Sequence, residues 1–254
     1  MIALYQFLLR LAFGLAAAMT VTDPRLVTSG YYRNNSYVLL GLSVVAALAG
    51  WQGAFDSPLA AWSALAAAAL SYGGVVTWLY EQRRAGRVIL ALLALTALVG
   101  TWLGTATSAT NESTAIDILR ALDPLSAGAV LGSTMAAMLL GHWYLNAPGM
   151  KLQPLRRLIG IMLVAIVIRA VICAIGLAFE WQDSTNWSAT HASLLALRWL
   201  AGLAGPAILA VMSWKTLEIP NTQSATGILY VGVIGVFLGE MISALLSSEG
   251  GYPL

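Results

Sequence analysis

Apolar residues in this chain do not recur at the spacing of a one-sided helix. They run on in stretches of 15 to 23 residues, separated by short polar segments. A hydrocarbon core about 30 Å thick needs about 20 residues of helix at ~1.5 Å per residue. Each stretch therefore reads as a transmembrane α-helix. Eight are expected: Ile2–Thr20, Tyr37–Trp51, Leu59–Tyr80, Val88–Thr105, Leu125–Leu145, Leu158–Phe179, Ala192–Trp214 and Ile228–Ser247. The second is short and is expected to start earlier, through Tyr31 and Tyr32. The breaks carry turn chemistry at Asp23-Pro24, Asp56-Ser57-Pro58, Asp123-Pro124, Ala147-Pro148-Gly149 and Ile219-Pro220-Asn221. The expected fold class is all-α, a polytopic integral membrane helix bundle of about eight transmembrane helices. It forms a single transmembrane domain over residues 1–254, with no soluble domain and no long linker.

Composition removes the soluble alternative. Hydrophobic residues make up 59% of the chain and charged residues only 9%, against about 25% charged in soluble domains. A net charge of +2, scattered along the chain, does not suggest nucleic-acid binding. Charge in the loops then orients the bundle. The segment Glu81–Arg87 holds Arg83, Arg84 and Arg87, and the segment after the fifth helix holds Lys151, Arg156 and Arg157. These lie an even number of helices apart and share the cytoplasmic side. Glu112, Asp117, Arg120, Asp123, Glu180 and Asp183 read as acidic outer loops. Both termini are then outside, and the expected location is a bacterial cytoplasmic (inner) membrane. The N-terminal stretch has no basic n-region and carries Arg10 within it, so a retained first helix is expected rather than a signal peptide. Asn111-Glu112-Ser113 and Asn186-Trp187-Ser188 match glycosylation acceptors, a pattern that also arises by chance.

Four ionisable residues fall inside the expected spans, and they are where chemistry is looked for. They are Arg10, Arg169, Arg198 and Glu240. Counted from the helix ends, all four come out roughly 16–20 Å above the cytoplasmic boundary. An arginine or aspartate at a helix centre costs about 2.5–3.5 kcal/mol on insertion scales, so such groups face the bundle interior and find partners. Glu240 is the single carboxylate within these spans, against three arginines. It is expected to pair with Arg169 or Arg198, leaving guanidinium groups that need backbone carbonyls, water, or an anionic or carbonyl-bearing ligand. A purely structural pairing satisfies the same pattern.

His142, near the inner end of the fifth helix, is a further candidate, as an interfacial histidine, a quinone or proton-handling group, or a haem ligand. The other histidine, His191, sits most of a bilayer away, so haem would need Met135, Met138 or a second subunit and is not expected. Gly128-x-x-x-Gly132 and Gly235-x-x-x-Gly239 would allow close helix approach, and Pro206 a kink. The lone Cys173 reads as a small buried hydrophobe and excludes an internal disulfide. No phosphate-cradling loop, His-Glu-x-x-His, Cys-x-x-Cys or Gly-x-Ser-x-Gly occurs. No catalytic residue or metal site is assigned, and a self-contained enzyme is not expected.

In helix count and orientation the chain resembles the eight-helix membrane subunits of quinol-linked molybdopterin reductases and related respiratory complexes. That resemblance implies termini outside, quinol handled without haem in the chain, and redox partners. It reaches no motif, so no site is carried over. The expected function is a multi-pass membrane subunit of a respiratory or electron-transfer assembly, an oxidoreductase subunit at most. It would bind quinone or line a proton path around Arg169, Arg198, Glu240, Arg10 and His142. The alternatives are a small-anion transporter or channel using the mid-membrane arginines, and a non-catalytic assembly or structural subunit. The expected partners are the lipid bilayer and other membrane or peripheral redox subunits.

Overall fold

The computed structural model describes residues 2–52, 58–104, 114–147, 149–183, 188–219 and 221–254. Asp56, Asn111, Glu112, Pro148, Asn186 and Pro220, which mark breaks or loop features in the sequence, lie outside them. The helices are α1 (Ile2–Val21), α2 (Ser29–Gln52), α3 (Leu59–Leu79), α4 (Arg83–Leu103), α5 (Thr114–Asn146), α6 (Gln153–Asp183), α7 (Ala189–Trp199), α8 (Gly205–Thr216) and α9 (Thr222–Gly250). A π-helical segment, Leu200–Ala204, joins α7 to α8 without a break in the rod. Counting α7 through α8 as one span, eight helices among the described residues are long and apolar enough to cross a membrane. Large apolar side chains such as Leu95, Val167 and Ile234 are exposed in mid-helix. A bilayer accepts such faces and water does not.

α1 is the pivot of the bundle. It packs on α2 and α4 on one side and on α5 on the other, while α3 closes against α2 and α4. α5 in turn packs on α6 and α9, and α8 on α9 and α6. The α1–α5 crossing is set by glycines: Gly14 lies directly against Gly128 and Gly132, with backbone touching backbone. The Gly128-x-x-x-Gly132 pair thus meets α1. Near its start α1 is pinned from the opposite side. The fully buried Tyr5 hydroxyl lies 2.7 Å from Ala60 O, 3.0 Å from Gly100 O and 3.3 Å from Ser63 Oγ, tying α1 to α3 and α4. Tyr5→Phe, which keeps the ring and removes the donor, should lower stability by about 1 kcal/mol. Detergent unfolding followed by tryptophan fluorescence measures it; an unchanged curve would show that the hydroxyl adds nothing to the ring packing.

Three differences from the hydropathy reading bear on the site. First, α5 starts at Thr114, so the expected break at Asp123-Pro124 is helix interior. Pro124 lacks the N–H that would bond back to Arg120. The next carbonyl, Ala121 O, accepts from Trp102 Nε1 at 3.1 Å, so α4 supports the weakened turn. Asp123 is therefore a helical residue facing the bundle and not part of an outer loop. Second, Glu180 is not a loop residue either: it is buried in α6, with its Oε1 3.4 Å from His191 Nε2. Third, α4 and α6 begin at Arg83 and Gln153, so the basic segments between spans are largely the first turns of helices.

α1 begins and α9 ends at the same end of the bundle, where Ile2 and Gly251 line one cavity. Beyond α9 the chain reverses at Gly251, a left-handed residue with φ 76°. It folds back so that Pro253 O lies over Gly176 of α6. Leu254 is buried with Leu195, Ile242 and Leu246.

Candidate functional site

Five helices each deliver one charged side chain to a single interior network. Glu240 of α9 is its centre. Its carboxylate accepts two bonds from Arg169 of α6, Nε to Oε1 at 3.1 Å and Nη2 to Oε2 at 2.9 Å. Oε1 also accepts from Arg198 Nη2 of α7 at 2.9 Å. Asp123 of α5 holds the other side: Arg169 Nη1 donates to Oδ1 at 2.5 Å, and Arg10 Nη2 of α1 lies 2.8 Å from Oδ2. Ser126 Oγ and Ser243 Oγ take further Arg169 donors at 3.2 and 3.0 Å. Arg169 thus bridges both carboxylates and is fully buried. Paired, bidentate geometry of this kind is what guanidinium and carboxylate form when water is excluded.

The chain of pairs runs Arg10–Asp123–Arg169–Glu240–Arg198, three cations against two anions. Asp123 is the member that sequence reasoning missed. The acceptor that the surplus of arginine calls for includes this residue, which the hydropathy pattern puts in a loop. The balance is still one positive charge in excess. Arg198 Nε and Nη1 and Arg10 Nε are buried without a hydrogen-bond partner among the described residues. Arg198 Nη1 rests over Gly202 and Gly239, whose backbones meet because neither has a side chain. The π segment starts two residues after Arg198, and Gly205 N–H bonds back five residues to Leu200 O. Such bulges alter the carbonyl pattern of a helix and recur at functional sites.

A cavity of about 490 Å³ runs between α1, α5 and α9 from the end of the bundle down to Arg10, Asp123 and Glu240. Ile2, Phe7, Leu131 and Ala244 give it an apolar wall, and Gln6, Arg120, Ser247 and Ser248 contribute polar groups. Arg10 and Asp123 remain 14% and 13% exposed at its floor, whereas Arg169 and Arg198 are sealed. The folded-back tail meets the network at Ser243, which accepts from Arg169 and donates to Leu254 O. In the cavity wall Arg120 Nη2 donates to Gly251 O at 3.2 Å.

The structure brings Arg10, Arg169, Arg198 and Glu240 together and leaves His142 apart. His142 is exposed, with its Nδ1 3.3 Å from the Tyr230 hydroxyl. It lies 19 residues along α5 from Asp123, about 28 Å at the helical rise. Cys173 is buried with its Sγ 3.4 Å from Arg198 Nη2. Among the described residues no group of three or more His, Cys, Asp or Glu side chains is placed to hold a metal ion. Comparison with protein-family models, curated proteins and solved structures finds no match for this chain.

Proposed function

We propose that this chain is a membrane subunit of an electron-transfer assembly, and that the α1–α5–α9 cavity takes a quinone head group. The observation that carries the reading is the cavity floor: an open, partly apolar space ends on Arg10, Asp123 and Glu240 of an otherwise sealed ionic network. Its volume of about 490 Å³ lies in the range of small-molecule sites. A quinone carries carbonyl acceptors on an apolar ring. Arg10 offers a donor to such a carbonyl, Phe7 and Leu131 offer ring contacts, and Asp123 holds the Arg10 guanidinium at the cavity floor. Electrons would come from a partner subunit bearing the redox centre. The helix count shared with quinol-linked reductase subunits agrees with this role. By the positive-inside rule the end bearing Arg83, Arg84, Arg87, Lys151, Arg156 and Arg157 is cytoplasmic. The cavity then opens to the outer face of a bacterial inner membrane, beside both termini.

One experiment tests this. Protein purified in mild detergent is extracted and assayed for bound quinone, then titrated with a short-chain quinone. Wild type should bind, and Arg10→Gln should bind about tenfold more weakly, the loss of a hydrogen bond from a charged donor. Failure of wild type to bind any quinone ends the reading. The second reading, a site for a small organic anion, rests on the surplus of one arginine. Quinone-insensitive anion flux in proteoliposomes, reduced by Arg10→Gln, would replace the first reading with it.

A further inference from the structure

The opposite end of the bundle carries a second charged feature, unrelated to the network. The end of α1 and the following turn, the first turns of α4 and the first turn of α6 enclose a cleft of about 1000 Å³. Arg25, Arg83, Arg84, Arg87 and Arg157 line it, with Asp23 as its one carboxylate. Asp23 is already engaged: its Oδ1 accepts from Arg25 N at 2.9 Å and lies 3.8 Å from Arg87 Nη2. Arg25, Arg83, Arg84 and Arg157 have no carboxylate partner among the described residues.

Two physical features make this more than a solvated basic edge. Arg83 and Arg84 open α4, where the backbone dipole is positive and cations are disfavoured, and Arg87 and Arg157 follow one turn into α4 and α6. An anion in the cleft would offset both the mutual repulsion and the α4 dipole. The cleft is also rigidly framed. Tyr32 stacks on Trp78 with centroids 4.1 Å apart, and its hydroxyl donates to Thr22 O at 2.9 Å, fixing the turn after α1. Gly86 of α4 lies against the Trp78 indole.

We infer that this cleft is a binding site for the head group of an anionic phospholipid. The choice of a lipid over a soluble phosphate follows from what lies below the arginines. Val21, Val88 and Ala91 line the same cleft. Exposed apolar side chains continue from it along α4 (Leu92, Leu95) and along α6 (Val164, Ile168). The guanidinium groups stand at the starts of spanning helices and, for Arg25, in the turn after α1, at head-group depth, and the apolar stripes descend where acyl chains would lie. A free phosphate would use only the upper half of this surface. Basic recesses between transmembrane helices are a recurrent way of holding anionic head groups, with each arginine worth about a fivefold change in affinity.

The test uses the full chain in mild detergent at about physiological ionic strength, with fluorescent phosphatidylglycerol as probe. Unlabelled phosphatidylglycerol should displace it, whereas phosphatidylcholine and glycerol 3-phosphate should not. Arg84→Gln and Arg157→Gln should each weaken binding about fivefold, and the pair about 25-fold. Lys215→Gln, on the end of α8 and outside the cleft, should bind as wild type. The single variants keep the test valid if the double variant does not fold. Equal displacement by phosphatidylcholine, full displacement by glycerol 3-phosphate, or wild-type binding by both arginine variants would overturn the inference.

Discussion

Glu240→Ala should lower the stability of the protein by about 3–5 kcal/mol, the range for removing one partner of a buried ion pair. The loss should be at the upper end because one carboxylate serves two sealed guanidinium groups, Arg169 with two bonds and Arg198 with one. Without it Arg169 retains Asp123, but Arg198 keeps only the Cys173 sulfur as an acceptor among the described residues, with two nitrogens already unpartnered. Reversible denaturation in mixed micelles, read by tryptophan fluorescence, gives the difference. Glu240→Gln, which keeps an acceptor oxygen and removes the charge, should fall between wild type and alanine. A loss under about 1 kcal/mol for alanine would mean that water or π-segment carbonyls already neutralise Arg198. The network would then not be what joins α6, α7 and α9.

The eight spans were legible because hydropathy over about 20 residues is a strong signal when lipid is the solvent. Helix ends were not, for a definite reason. The apolar run marks the part of a helix inside hydrocarbon, and α5 continues for eleven residues before Leu125. In that extension Ile116 and Leu119 are buried while Ile118 and Leu122 are exposed. It is thus an amphipathic extension of about three turns resting on the bundle, which Asp123-Pro124 disguises as a loop.

The same error hid half of the site. Depth arithmetic placed Arg10, Arg169, Arg198 and Glu240 at one level, and they do share one network. Counted from the true helix starts, Asp123 is the tenth residue of α5, beside Arg10 as the ninth of α1 and Arg198 as the tenth of α7. The signal that could have found it was charge balance: three arginines within the spans call for more than one carboxylate, and Asp123 is one of the acids adjoining a span. His142 was drawn in by residue type, although its position near the far end of α5 already set it apart by depth. The π segment has no comparable signature. Pro206 suggested a kink, but the backbone absorbs it as an extra residue in the turns before the proline.

Gly14→Val should be the most damaging change on α1, although it removes no charge and touches no side chain of the network. A Cβ at Gly14 would be driven into the Gly128 carbonyl, and one at Gly132 into the Gly14 backbone. No flexible side chain can move aside there, so α1 and α5 must separate. Overpacking of this kind costs about 1–3 kcal/mol or more. Here the displacement also reaches the ion pair one turn away, because Arg10 of α1 and Asp123 of α5 are held 2.8 Å apart by that crossing. The expected result is a stability loss exceeding that of Arg10→Gln, together with loss of ligand binding in the cavity. Gly14→Ala should show a smaller loss in the same direction. If Gly14→Val folded with wild-type stability and still bound ligand, the crossing would have to be looser than its backbone contacts imply. The site would then draw its geometry from α5, α6 and α9 alone.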